Sequence, residues 1–205
     1  MKPERHDAKR ILERIHCDVA GPFSASRSGF NYFVIFVDEM SKYVVGFPMK
    51  SKDEAPKMLK AAILEFEKLA PGHRVLRYRS DNATELKGAA RAVCDEHKIV
   101  MEQSAPYSPF QNGISERNIR TITETIRCLL HQGNMTSGFW EDAFATALYV
   151  KNRVGKQRTP LEDLAGVTPG YENMRAFGCI ARAATPCRPQ AARENCPVQT
   201  HWLSE

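Results

Sequence analysis

Three carboxylates at wide, uneven spacing are the residues of this chain best suited to chemistry. Asp18 lies within Ile15-His16-Cys17-Asp18-Val19, Asp81 within Arg79-Ser80-Asp81-Asn82, and Glu116 within Gln111-Asn112-Gly113-Ile114-Ser115-Glu116-Arg117. Two stand at the ends of strand-like runs and the third on a helix. Acids drawn into one site from distant segments offer oxygen ligands to hard divalent cations and leave positions open for phosphate oxygens and water. Phosphodiester chemistry is the first hypothesis. Positive charge gathers beside the same acids, with Arg74, Arg77 and Arg79 before Asp81 and Arg117, Arg120 and Arg127 after Glu116. That placement suits a polyanionic substrate. The formal net charge of +5 by itself carries little weight, since many proteins of that charge bind no nucleic acid.

The elements that must hold these acids can be read from periodicity. A strand over 14–19 carries Asp18 and stops at Gly21-Pro22; the apolar run 32–37 reads as a buried strand, with 43–47 as its hairpin partner. Residues 52–69 have helical spacing of apolar positions and close at Pro71-Gly72. A short strand over 75–78 delivers Asp81, a helix covers 85–98, and a strand over 99–101 leads into Ala105-Pro106-Tyr107-Ser108-Pro109. In the helix that follows, Ile119, Ile122, Ile126, Leu129 and Leu130 share one face, while Glu116, Arg120, Thr123 and Arg127 fall within about 60° of one another on another face. On an arbitrary helix such a polar stripe is a solvated face held by local ion pairs; the two strand-borne aspartates tip the reading toward a site. Asn112 also has the character of a helix cap. A further amphipathic helix spans 139–152, a turn or two of helix 161–164, and a short strand 176–181. The order β-β-β-α-β-α-β-α implies an α/β fold with a mixed five-stranded sheet flanked by helices.

Composition is that of a soluble globular protein, with 42% hydrophobic and 26% charged residues among 205. One α/β core of roughly 150 residues with appendages fits that length. No apolar run reaches the ~20 residues of a membrane span and no signal segment opens the chain, so an intracellular location without membrane contact is expected. The six cysteines (Cys17, Cys94, Cys128, Cys179, Cys187 and Cys196) contain no Cys-x-x-Cys pair, and reduced, mostly buried thiols are expected. Cys187, Cys196 and His201 form only a loose ligand-like group. Neither a nucleophile elbow nor a nucleotide-binding loop occurs.

Four segments in order resemble the catalytic core of retroviral-type integrases, and more closely the integrases of copia-type retrotransposons. They are 12–22, 32–43, Arg79-Ser80-Asp81-Asn82 and 105–118, with the resemblance continuing through Phe139-Trp140, Asn152-Arg153, Thr159-Pro160 and 176–179. The resemblance implies a ribonuclease H-like fold in which Asp18, Asp81 and Glu116 bind two Mg²⁺ or Mn²⁺ ions. It further implies processing of DNA 3′ ends and strand transfer, with element ends and host DNA as partners, a homo-oligomer as the functional form and the nucleus as its place of action. Gln111, Asn112 and Gly113 resemble the DNA-contacting loop beside such a site, and Arg117, Arg120 and Arg127 are the accompanying phosphate-binding candidates. Asp38, a fourth acid, is expected to organise the turn between strands.

Departures from the family pattern are local. Asp81 and Glu116 are separated by 34 residues, one fewer than usual; Ala83-Thr84 stand where glycines are common, and Phe110 where a glutamine is. The division expected is a flexible lead over 1–10, the catalytic core over 11–155, a copia-type extension over 156–184 and an irregular tail over 185–205. The zinc-binding module that usually precedes the core is not matched, and an isolated core is expected, either a fragment of a polyprotein or a decayed copy. The alternative reading is an inactive remnant that keeps only nucleic-acid binding or a scaffold role.

Overall fold

The computed structural model describes residues 8–80, 87–103, 113–172 and 174–180. Five strands, β1 (Arg14–Ala20), β2 (Tyr32–Asp38), β3 (Val44–Met49), β4 (Arg77–Ser80) and β5 (Val100–Gln103), form one sheet in the order β3-β2-β1-β4-β5. The first three are antiparallel neighbours, whereas β1, β4 and β5 run parallel. β2 lies second from the edge and is almost wholly buried, as its unbroken apolar run requires.

Alternation along each strand divides the side chains between two layers. Ile15 and Cys17 of β1, Val34 and Phe36 of β2 and Tyr78 of β4 enter a core with Leu59, Ala62, Ile63 and Phe66 of α1 (Ala55–Leu69) and Ala90 and Cys94 of α2 (Lys87–His97). Ala20, Phe33, Ile35, Val37 and Val44 point to the other face. There they meet Ile122 and Ile126 of α3 (Gly113–Gln132) and Trp140, Ala143, Phe144 and Ala147 of α4 (Trp140–Arg153). Phe33 stacks on Phe144 at a centroid separation of 4.5 Å and on Phe23 at 5.5 Å. A short α5 (Pro160–Ala165) is set by a capping box between Thr159 and Glu162 and closed by Gly166 at φ +68°.

The expected sheet with flanking helices is therefore present, with local shifts. The helix expected from residue 52 opens as a 3₁₀ turn, Lys52–Glu54, and becomes α-helical at Ala55, which places Pro56 in the first turn, where no N–H is needed. The strand expected over 75–78 begins two residues later, because its pairing to β1 starts at Arg14 and Arg77. Residues 176–180 make a turn rather than the expected strand. Phe177 is buried in the α3/α4 core, and Gly178, at φ +79°, lies so close to Gly133 that a Cβ would stand 2.6 Å from its Cα. Cys17 and Cys94 are buried free thiols as expected; Cys128 and Cys179 are exposed instead, the former on the outer face of α3. No described helix is long and apolar enough to cross a membrane.

Candidate active site

β1 carries Asp18 near its C-terminal end. Even-numbered residues of this strand face α3 and α4, because Asp18 pairs with Ile35 and Ala20 with Phe33, both in that core. Asp18 is half-buried and its Oδ1 accepts the N–H of Val19 at 2.8 Å. β4 runs parallel to β1 with Cys17 opposite Ser80, and Asp81 follows Ser80 directly in the chain. Asp81 itself lies outside the described residues, as do Gln111 and Asn112.

Glu116 occupies the first turn of α3, a helix that packs on β1 and β2. Ser115 is fully buried and Ile114 packs against the α3/α4 core, so the start of the helix is seated on the sheet face that carries Asp18. Glu116 is exposed, and its charge in the first turn complements the positive end of the helix. Gly113 begins the helix, and its carbonyl accepts from Nε of Arg117 at 2.7 Å. Arg120 and Arg127 are exposed while Ile122 and Ile126 are buried, which is the amphipathic division read from the sequence. Among the described residues no three His, Cys, Asp or Glu side chains gather into a metal-binding group.

Asp38 is turned away from any such role by its own bonds. It is fully buried, accepts from the Leu12 amide at 2.9 Å, and binds the amide and hydroxyl of Ser41 at 2.8 and 2.7 Å. Burial pushes its carboxyl above the usual range, and the bonds from Ser41 and Leu12 pull against that rise.

A group missed in the sequence lies on the same sheet face. Arg14 is buried and donates to Glu39 at 2.9 Å and to Glu102 at 2.9 Å. His16 donates through Nε2 to the same oxygen of Glu39 at 2.7 Å, since a carboxylate can only accept, while its buried Nδ1 has no partner among the described residues. Glu102 also receives Arg77 at 2.8 Å and Arg79 at 2.6 and 3.1 Å. Burial raises the Glu39 carboxyl, but hydrogen bonds from His16, the Ala8 amide and Arg14 outweigh it and hold the group at about 2. Burial likewise opposes ionisation of Glu102, yet its arginines keep it below the usual carboxylate range. The signal available in the sequence was the even-numbered polar series Arg14, His16, Asp18 on a strand whose odd positions are apolar. The partners come from segments 23 to 88 residues away.

No family model matches the chain. It is 33% identical over 189 residues to the retrovirus-related Pol polyprotein from transposon TNT 1-94 of Nicotiana tabacum, covering 86% of this chain and 14% of that protein. It is also 33% identical over 180 residues to the retrovirus-related Pol polyprotein from transposon RE1 of Arabidopsis thaliana, covering 84% and 12%. The chain thus spans a small part of the length of these relatives. Among solved structures it resembles a chain of the simian T-cell lymphotropic virus intasome in complex with PP2A regulatory subunit B56 gamma, with TM-score 0.65, 16% identity, and 90% of this chain and 63% of that one covered. It also resembles the catalytic core domain of BIV integrase, with TM-score 0.55, 19% identity, and 75% and 93% covered. The fold is the ribonuclease H-like fold of integrase cores.

Proposed function

We propose, because this chain belongs to the retrovirus-related Pol polyproteins of transposons as their integrase-like domain, that it is a metal-dependent polynucleotidyl transferase that processes DNA 3′ ends and joins them to a target. The observation that carries this reading is the seating of α3, with Glu116 in its first turn, on the sheet face where β1 presents Asp18.

The donor types fit a hard divalent cation, since Asp18 and Glu116 are carboxylates; Asp38 has both of its oxygens engaged by Leu12 and Ser41. Asp18, Asp81 and Glu116 would hold two Mg²⁺ or Mn²⁺ ions, which when bound supply Lewis acidity toward the attacking water or 3′-hydroxyl and the leaving oxygen. The protein's own part is placement. The parallel β1–β4 pair fixes the strand end that bears Asp18, and the buried Ser115 and Ile114 fix the helix turn that bears Glu116. Gln111, Asn112 and Gly113 would lie against the DNA backbone, and Arg120 and Arg127 would contact its phosphates, with Arg117 folded over the start of the helix beside them. No side chain forms a covalent intermediate in this scheme. Self-association and action in the nucleus belong to the same reading.

The test uses a branched DNA that mimics a joined end, incubated with the chain and Mn²⁺ or Mg²⁺. Metal-dependent cleavage and rejoining is expected in the wild type and background activity in Asp18→Asn and Glu116→Gln. Folded variants that keep the wild-type rate would remove these acids from the site. A wild type that binds DNA and gives no product with either metal would instead support a DNA-binding domain without catalysis.

A further inference from the structure

The sheet face that carries Asp18 is covered unevenly. α3 lies over β1 and β2, and α4 over β3. On β4 and β5 no described helix lies over the same face: Val100 is 58% exposed and the Arg77 side chain 45% exposed, while Arg79 keeps 20%. Where the covered half presents Phe33, Ile35 and Val37, the other half presents Arg77, Arg79 and Glu102. This follows from β4 itself, whose sequence Arg77-Tyr78-Arg79 alternates two cations with a tyrosine that enters the opposite core.

Asp18 apart, the ion-paired group on this face is not balanced within itself. Three guanidiniums, of Arg14, Arg77 and Arg79, meet two carboxylates, of Glu39 and Glu102. Arg14 is buried between both acids and is committed to the fold. Arg77 spends one N–H on Glu102, and Arg79 spends Nε and one terminal nitrogen, so most of the Arg77 guanidinium and the second terminal nitrogen of Arg79 have no partner among the described residues. Glu102 thereby holds both forks in place beside the strand that carries Asp18: Arg79 is opposite His16, two residues before Asp18.

We propose that Arg77 and Arg79, held by Glu102, form a subsite for backbone phosphates of DNA on this half of the face. The proposal rests on the DNA-acting reading given above. Pre-ordered guanidiniums suit it, since a planar fork binds phosphate bidentately and loses little further freedom on binding. Being contacts to the backbone, they position the duplex and carry no sequence preference.

The test is equilibrium binding of a fluorescent DNA duplex over a series of KCl concentrations in EDTA, so that metal-dependent steps do not contribute. Each lost phosphate contact should lower the slope of log K against log salt by about 0.9. Arg77→Gln and Arg79→Gln are expected to lose about that much each, the double variant about twice as much, and the Arg77→Lys/Arg79→Lys double to keep a slope near wild type. Lys60→Gln, on α1 behind the opposite face and paired to Glu96, should change nothing. Because Arg77 is the more exposed, its variant keeps the test valid even where Arg79→Gln fails to fold. A wild-type slope in folded Arg77→Gln would overturn the subsite while leaving the DNA-acting reading intact, and so would one in the double variant where it folds. A wild-type chain that binds no DNA would remove that reading and the subsite together.

Discussion

Two adjacent carboxylates, Asp38 and Glu39, show how little residue type alone decides. Asp38 is enclosed and serves three protein donors, whereas Glu39 faces Arg14 and His16 across the sheet. Removing the Asp38 acceptor by Asp38→Ala strands the Leu12 amide and both Ser41 donors in the interior. A loss of about 2 to 4 kcal/mol is expected, since hydrogen bonds to a charged group and buried donors left unpaired both contribute. Urea unfolding should show a lower midpoint with an unchanged slope, and Asp38→Asn should lie between the two. A midpoint within error of wild type would mean that the turn does not depend on the carboxylate. The role of Asp38 was legible from its place between two strands, and the Ser41 that supplies two of its donors stands only three residues on. That Glu39 meets Arg14 and His16 was not, because it needs the antiparallel register that sets Ile15 opposite Asp38, and Glu102 joins them only through the parallel crossover that brings β4 and β5 beside β1. Asp18 and Glu116 could be read as acids at element ends from type and position alone.

Element boundaries follow contacts that local propensity does not contain. Asn152, near the end of α4, accepts the N–H of Val44 at 2.9 Å and donates to its carbonyl at 2.8 Å, so its side-chain amide acts as one more rung beside the edge strand β3. This is the reason β3 is anchored at Val44. The sequence marked Asn152-Arg153 as part of a resemblance, but its function as a strand anchor needs a partner 108 residues away. Asn152→Ala leaves both backbone groups of Val44 unpaired in a buried position and should lower stability by about 2 to 3 kcal/mol. Asn152→Asp should be at least as harmful, because a carboxylate then faces the Val44 carbonyl. Hydrogen exchange offers the local readout: the Val44 amide should lose protection in both variants, while amides of β1 and β2 retain theirs relative to global stability. Unchanged protection at Val44 would show that the side-chain rung is dispensable. The start of β4 has the same origin. Val75 is apolar and buried and looks like a strand residue, yet pairing begins at Arg77, where β1 supplies a neighbour.

At the scale of the whole molecule, one side of the sheet is sealed by α1 and α2, and among the described residues the helices on the other side cover its antiparallel half. The alternation of strands and helices made the layers legible, but the burial of an ion network on the second side was not, since an arginine and a histidine on a strand ordinarily mark a solvated face. That network makes stability depend on acid. The Glu39 carboxyl is held at about 2 against its ordinary 4.5, and Glu102 is also lowered. A depressed folded-state value means the unfolded chain takes up the proton first as pH falls. The stabilisation is therefore complete above about pH 4.5 and is lost progressively toward pH 2. Asp38, whose value is raised, works in the opposite sense, because the folded state protonates it first on acidification. Glu39→Gln isolates the first effect. Its stability should be lower than wild type at neutral pH, where Arg14 loses its counter-charge and His16 its charged acceptor, and its decline between pH 4.5 and 2 should be shallower. The difference in slope can reach about 1.4 kcal/mol per pH unit for one proton. Unfolding free energies from urea titrations at half-unit intervals decide the matter: converging curves place the acid sensitivity of the fold in this network, and parallel curves place it elsewhere.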